Sequence, residues 1–360
     1  MAKVEQTQNL SNAERCLFEI SDEDFRKLAP PESSIIITDE NVARTFASQW
    51  KGYRVISFLA GEEYKTSKTL EYLTEALLAA DANRQTMLVG IGGGVVTDLV
   101  GYLAASFMRG LKCAFVPTTV LAQVDAAIGG KNGVNVGLHK NMLGTIRQPE
   151  FIAINSNFLM TLPETEWANG FAEIIKYGLI EDPEILDILD ASGLDHFQRN
   201  LTEFSFLVKR CVSIKNSIVS RDEFETGERK KLNFGHTVGH ALETLYKIPH
   251  GHAVGLGMRV AVWLSEIHED LDEQVGEHLY TLLKQYHLPT EITFDEAAVL
   301  HLLMSDKKRT EKGIGFVLLA EKGKAVLKTL GTEDIREGLG ILPRRHGGTE
   351  FHGENWKREN

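Results

Sequence analysis

The sequence predicts an N-terminal α/β domain that binds a nucleotide on a parallel sheet, followed by a mainly α-helical domain for a metal and a substrate. Three observations lead there. Short apolar runs alternate with amphipathic stretches from Arg15 to about Thr119, the pattern of βαβ units. Strand signals fade after Pro163, where stretches of helical period take over. Five of the chain's 12 histidines fall between His236 and His268, which points to chemistry on a helix.

The elements follow in order. Residues 34–38 (SIIIT) read as a strand and 41–50 as a helix. Residues 53–58 are strand-like, and 67–80 form a leucine- and alanine-rich helix. Residues 86–90 are a buried strand ending in glycines, 95–107 a helix and 113–117 a further strand. Ligands on parallel sheets gather beyond the carboxyl ends of the strands. Those ends carry polar and glycine-rich residues here: 38–41, 60–65, 90–94 and Thr118-Thr119. Beyond Pro163, residues 164–190, 201–220, 235–246, 253–268, 274–287 and 295–305 read as helices, and a hairpin joins 314–319 to 324–328. The expected division is residues 1–162, then 163–343, then a polar tail at 344–360 expected to be disordered.

A chain of 360 residues has sequence for two cores. The formal charge of −11 argues against a nucleic-acid partner. It leaves room for an anionic small substrate, which needs only a local cluster of cations. Cys16, Cys113 and Cys211 lie far apart and form no CxxC pair, so they read as reduced thiols of a cytoplasmic protein. No apolar run approaches the roughly 20 residues of a membrane span, and MAKVEQTQNL lacks a signal-peptide core.

His236 and His240 are four apart, so on a helix they share one face. Such a pair can share a metal, or one can bind metal while the other handles protons. On its own HxxxH is equally a pair of satisfied helix histidines. The segment Ile248-Pro-His-Gly-His252 breaks the helix and can return a further imidazole. Glu173 and Lys176 lie three apart on a mostly apolar helix. That setting favours an inward carboxylate over a surface ion pair, and a carboxylate is a plausible partner for two imidazoles on zinc. The loop Gly90-Ile-Gly-Gly-Gly-Val-Val-Thr-Asp98 lets backbone N–H groups approach a pyrophosphate at a helix N-terminus. It departs from GxGxxG at Val95, and Asp98 either binds ribose or favours the helix N-terminus. Asp125, among alanines and valines, is costly to bury unless paired. Lys131 and Lys140 stand in glycine-rich or loop segments and suit phosphate or carboxylate groups.

Together these segments resemble the 3-dehydroquinate synthase family. The likeness runs from about Thr38 to Lys308 and includes GGGVVTD, MRG, PTTVLAQVDAAIGGK, HKNMLG, GFAEIIKYG, DEFETGERKKLNFGHTVGHALE, HGHAVGLGM and SDKK. The resemblance implies a zinc (or cobalt) ion on Glu173, His236 and His250. His252 stands where members usually have glutamate, so the choice between His250 and His252 stays open. For NAD it implies Asp39, Asn41, Gly61, Glu62, Glu63, Tyr64, Lys65, Gly93, Gly94, Val95, Val96, Thr97, Asp98, Thr118, Thr119, Lys131, Lys140, Phe158, Leu159, Met160 and Thr161. For catalysis and substrate it implies Arg109, Asp125, Lys131, Asn141, Lys176, Glu225, Arg229, Asn233, His240 and Lys308. A second departure, His139 in place of glycine, touches loop flexibility more than chemistry.

The implied activity is that of a carbon–oxygen lyase of the shikimate pathway, in aromatic amino acid biosynthesis. It converts 3-deoxy-D-arabino-heptulosonate 7-phosphate to 3-dehydroquinate and phosphate. NAD-mediated transient oxidation, phosphate elimination, re-reduction and an intramolecular aldol closure would follow one another. His240, one turn from His236, is the expected proton relay. Family members are usually homodimers. Two enzymatic alternatives remain: another sugar-phosphate cyclase such as 2-deoxy-scyllo-inosose synthase, and a metal-dependent polyol or alcohol dehydrogenase. The many cations disfavour the second, and Arg229 with Asn233, suited to a carboxylate and hydroxyls, disfavours the first. A non-enzymatic binding module is the third class.

Overall fold

The computed structural model describes residues 11–137, 139–304, 309–310 and 313–342. Lys308 and the 344–360 tail lie outside the described residues. The chain forms two compact units, Met1–Trp167 with Phe197–Glu225, and Ala168–His196 with Thr226–Asn360.

The first unit is built on a six-stranded sheet in the order β1-β8-β5-β4-β2-β3, every neighbouring pair parallel. Its strands are β1 (Cys16–Phe18), β2 (Ser34–Asp39), β3 (Arg54–Phe58), β4 (Met87–Gly92), β5 (Lys112–Pro117) and β8 (Ile152–Ile154). Ile35-Ile36-Ile37 of β2 is a continuous apolar run because both faces of an interior parallel strand are buried. The crossover helices are α1 (Asp22–Leu28), α2 (Glu40–Phe46), α3 (Ser67–Ala79) and α4 (Gly94–Ser106). Ser21 caps α1 and Thr66 caps α3, each accepting a backbone N–H with its hydroxyl. Ile36, Val89, Ile91, Ala114 and Val116 meet Trp50 and Phe151 in the core. A hairpin of β6 (Lys131–Val136) and β7 (His139–Ile146) stands outside the sheet.

Helix α5 (Glu164–Ile180) contributes its residues from Ala168 onward to the second unit. Glu181-Asp182-Pro183 separates it from α6 (Glu184–Asp190). The single helix expected over 164–190 is therefore two, since Pro183 lacks the N–H needed to continue the ladder. Then come α7 (Leu194–Arg199) and α8 (Leu201–Arg221), the latter belonging wholly to the first unit. The second unit continues with α9 (His236–Tyr246), α10 (His250–Glu269), α11 (Gln274–Gln285) and α12 (Glu296–Met304). A sheet of β9 (Arg309–Thr310), β10 (Gly313–Glu321) and β11 (Lys324–Leu330), then α13 (Thr332–Leu339), complete the described residues. Leu242, Leu256, Val260 and Leu264 of α9 and α10 share one core with Phe294, Leu303, Phe316 and Ile335.

The α9–α10 contact sets the site. Gly235, just before α9, has φ +77, a conformation costly for a residue with a side chain. A Cβ on Gly257 of α10 would fall 1.9 Å from the Gly235 carbonyl oxygen and 2.8 Å from Gly239 N. These glycines let the two helices pack backbone against backbone.

Candidate active site

In the second unit, His236 opens α9 and His250 opens α10, while Glu173 lies in the middle of α5. Glu173 is 0% exposed, and its Oε1 lies 3.5 Å from His236 Nε2 and 3.4 Å from His250 Nε2. One ligand atom from each residue lies within 4.8 Å of the others. Each imidazole is held by its other nitrogen. His236 Nδ1 is 3.0 Å from the Phe234 carbonyl, and His250 Nδ1 is 3.3 Å from Glu243 Oε2. Both carboxylate oxygens of Glu173 are buried, Oε1 facing the two imidazoles and Oε2 facing Lys176. A fully desolvated carboxylate facing two ring nitrogens fits a shared cation, and the N, N, O donor set suits zinc or cobalt.

The surroundings set the charge balance. Lys176, also buried, forms an ion pair with Glu173 Oε2. Burial pushes His236 well below its ordinary pKa, and Lys176, His240 and His250 push the same way. For His250 burial also lowers the pKa, but the Glu173 and Glu243 carboxylates outweigh it and hold the group up to about 10. His240 stands beside both, its ring 5.1 Å from that of His236 and 6.0 Å from that of His250. His252 is buried further along α10, pushed down to about 4 by desolvation, and is in neither potential ligand group among the described residues. Arg229 is buried and Asn233 half-buried on the 3-10 turn that leads into α9.

In the first unit, α4 begins at Gly94 with Gly93 as its cap, and among the described residues no side chain caps its first turn. A Cβ on Gly92 would meet the Val96 side chain at 2.4 Å, and one on Gly93 would meet Thr119 at 3.1 Å. Val96 and Thr97 are buried, and Val95 is half-buried. The Thr118 hydroxyl is buried with no hydrogen-bond partner among the described residues. An open helix N-terminus beside an unsatisfied hydroxyl fits a phosphate-bearing cofactor. Thr119 Oγ1 instead accepts from Ala122 N at 3.1 Å. Lys65 and Asp98 are paired with each other; burial raises the Asp98 pKa and Lys65 opposes that rise. Asp39 Oδ1 caps α2 through Asn41 N and Val42 N, at 2.9 and 3.0 Å. Gly61, at φ +127, precedes the Glu62–Tyr64 turn, where Glu62 accepts from Asn135 at 2.9 Å and lies 3.6 Å from Lys140. On the Ser156–Thr161 turn, Phe158 packs edge-on to Phe46 and Leu159 is buried, while Met160 and Thr161 are exposed.

The substrate candidates of this unit are equally specific. Lys131 Nζ donates to Glu225 Oε2 at 2.5 Å. Asn141 N donates to Asn135 Oδ1 at 2.9 Å. Arg109, Asn141 and Glu225 hold φ of +68, +50 and +58, backbone strain of the kind that collects at functional sites. Asp125 sits on a π-helical turn, its carboxylate 2.8 Å from Lys215 Nζ.

Comparison with known proteins shows the family. Residues 55–169 match the family profile described as 3-dehydroquinate synthase N-terminal, and residues 170–309 match its C-terminal counterpart. The chain is 40% identical to the 3-dehydroquinate synthase of Pyrococcus furiosus over 281 residues, 78% of this chain and 82% of that one. The chain belongs to the 3-dehydroquinate synthase family. Two solved structures of similar fold are cyclases. One is a 2-deoxy-scyllo-inosose synthase complexed with carbaglucose-6-phosphate, NAD+ and Co2+ (TM-score 0.79, 27% identity, covering 89% of this chain and 95% of the other). The second is a 2-epi-5-epi-valiolone synthase from Streptomyces hygroscopicus with NAD+ and Zn2+ (TM-score 0.83, 25% identity, 95% and 99%).

For this 3-dehydroquinate synthase family member, sequence reasoning passed over two residues. Lys215 stands in the apolar stripe of α8 between Cys211 and Val219, at 6% exposure. A lysine in phase with buried positions was the available signal. Glu243 follows His236 by seven positions and His240 by three, a spacing that puts all three on one face.

Proposed function

We propose that the chain converts 3-deoxy-D-arabino-heptulosonate 7-phosphate to 3-dehydroquinate and phosphate, with NAD and a divalent zinc or cobalt ion as cofactors. The observation that carries this reading is the convergence of Glu173 Oε1 with Nε2 of His236 and His250, in a chain of this family. The NAD+ and Co2+ or Zn2+ of the two cyclase structures support the same pair of cofactors here.

When bound, the metal would supply Lewis acidity toward a substrate hydroxyl, and NAD would supply a reversible hydride acceptor. The chain's residues do the remaining work. Glu173, His236 and His250 hold the ion, and the Nδ1 partners fix both imidazoles with Nε2 toward it. The first turn of α4 and the Thr118 hydroxyl receive the dinucleotide, with Asp39 and Asn41 toward the adenosine. Arg109, Lys131, Lys176 and Lys308 bind the phosphate and carboxylate charges, and Arg229 and Asn233 orient the carboxylate and hydroxyls. Asp125, Asn141 and Glu225 fix the substrate through polar contacts, and His240 takes the hydroxyl proton on an imidazole nitrogen. The segments assigned to the cofactor fall in residues 1–162 and those assigned to the metal in 163–343.

Purified protein supplied with the heptulosonate phosphate and substoichiometric NAD should release phosphate without accumulating NADH. NADH growing in proportion to product would mark a dehydrogenase. Phosphate release from glucose 6-phosphate alone would mark an inosose synthase. Within the same assay series, His250→Ala should lose zinc and His252→Ala should keep it; the reverse would reassign the ligand. Three buried free cysteines and the absence, among the described residues, of any helix long and apolar enough to cross a membrane support a cytoplasmic enzyme. A homodimer is expected from the family, and sedimentation velocity tests it.

A further inference from the structure

The side chain facing the far side of His250 has no role in the reading above. Glu243 is seven residues past His236 on α9 and only 7% exposed. Its Oε2 lies 3.3 Å from His250 Nδ1, while His250 Nε2 faces Glu173. The two imidazoles of the cluster are therefore held differently. His236 leans on the Phe234 backbone carbonyl, a neutral acceptor that no substitution removes. His250 leans on a carboxylate, which fixes the Nδ1–H tautomer and makes Nε2 a more basic donor. His250 also stands at the first turn of α10, where Asn169 Oδ1 accepts the next backbone N–H, that of Gly251. Backbone and ring are thus each anchored.

The geometry points to Glu243 as the positioning residue that orients His250 toward the metal and sets the affinity of the site. This rests on the proposed ligand set of Glu173, His236 and His250. Glu243 touches neither substrate nor cofactor in this role; it acts through His250. His240 lies close enough to Glu243 and His250 to form a second potential ligand group with them. The rival role for Glu243 is therefore to orient His240 for proton transfer.

The test uses the full chain, stripped of metal and titrated with Co2+ against a competing chelator, with the visible cobalt spectrum recorded at each step. Parent, Glu243→Gln, Glu243→Leu and Glu173→Ala are compared. The Gln amide oxygen still accepts Nδ1–H; the Leu side chain fills the space without accepting. Glu243→Leu should weaken Co2+ binding about 10–100-fold, the usual effect of losing such an outer partner. Glu243→Gln should fall between Leu and parent, with a shifted visible band. Affinity of Glu243→Leu within about twofold of the parent overturns the inference. So does a Gln variant no better than Leu, which would trace the loss to packing. A fall in kcat with unchanged Co2+ affinity also overturns it, in favour of His240. Should Glu243→Leu fail to fold, the Gln variant decides alone: affinity and spectrum identical to the parent sink the idea. Failure of the underlying ligand reading shows separately, as a parent that binds no cobalt or a Glu173→Ala variant that still does.

Discussion

Lys215 of α8 reaches Asp125 with one ammonium group, donating to its carboxylate at 2.8 Å and to its backbone oxygen at 2.7 Å. The lysine side chain is 8% exposed and the aspartate side chain 20%. Removing one partner of such a pair leaves a charge in a site shaped for two. Lys215→Met should cost about 3 kcal/mol of stability, the low end for a broken buried pair because Asp125 keeps some water. The double change with Asp125→Leu should recover part of that loss. Urea unfolding of the three proteins measures it, and a double variant no better than the single one would show the pairing to be incidental.

Gly257 gives a prediction about packing. An added Cβ would lie 1.9 Å from the Gly235 carbonyl oxygen, and backbone cannot give way as a side chain can. Gly257→Ala should therefore cost about 3 kcal/mol or more, the upper part of the overpacking range, and weaken metal binding as α10 moves. Gly255→Ala in the same helix meets only the Leu283 side chain at 3.1 Å and should be mild. Equal effects in both variants, read by chemical denaturation, would remove the backbone-contact argument.

Those glycines show where sequence legibility ended. The β2, β4 and β5 strands were readable because interior parallel strands are apolar throughout, as Ile35-Ile36-Ile37 is. The three-residue strands β1 and β8 are too short to show a period. The β6–β7 hairpin hides in glycines and polar residues that look like loop. The histidine cluster was legible through spacing and the Pro249 break, and an inward Glu173 through its apolar neighbours, whereas the preference for His250 over His252 came from the family resemblance alone. Partnerships across elements were not legible. Nothing local tells that Lys215 answers Asp125, 90 residues away, or that Lys65 answers Asp98. Likewise the glycines at 235, 239 and 257 do not name the backbone they admit.

Cys113 carries a pH prediction. It is 2% exposed on β5, and burial pushes its thiol from 9.0 up to about 12, with Arg147 opposing slightly. A pKa raised on folding means the folded state holds the proton more tightly. The stabilising contribution is thus complete below about pH 9 and is lost as pH rises through about 12. The native thiol should resist iodoacetamide at pH 8 and react readily in denaturant. Rapid alkylation of Cys113 in the native protein, located by mass spectrometry, would contradict the burial.

Lys176 and Glu173 yield the last prediction. Both are buried on α5, three residues apart and in contact. Without metal the ammonium is one of the cations that answers the carboxylate; with metal bound, the ion does so too. Lys176→Met keeps most of the stem's packing and removes only the charge. The metal-free variant should lose about 3–5 kcal/mol, the cost of stranding a buried charge. Because the ion can compensate that charge, the zinc-loaded variant should lose much less. A difference of that kind is linkage: the variant must bind zinc more tightly, by tenfold for each 1.4 kcal/mol or so separating the two losses. Binding of a phosphonate substrate analogue should move the other way, weakening about tenfold or more if Lys176 makes a charged contact to it. Thermal unfolding with and without zinc, paired with calorimetric titration of zinc and analogue, reads all three quantities. An equal loss in both forms would put Lys176 outside the charge balance of the metal, with Glu173 compensated by His250 instead.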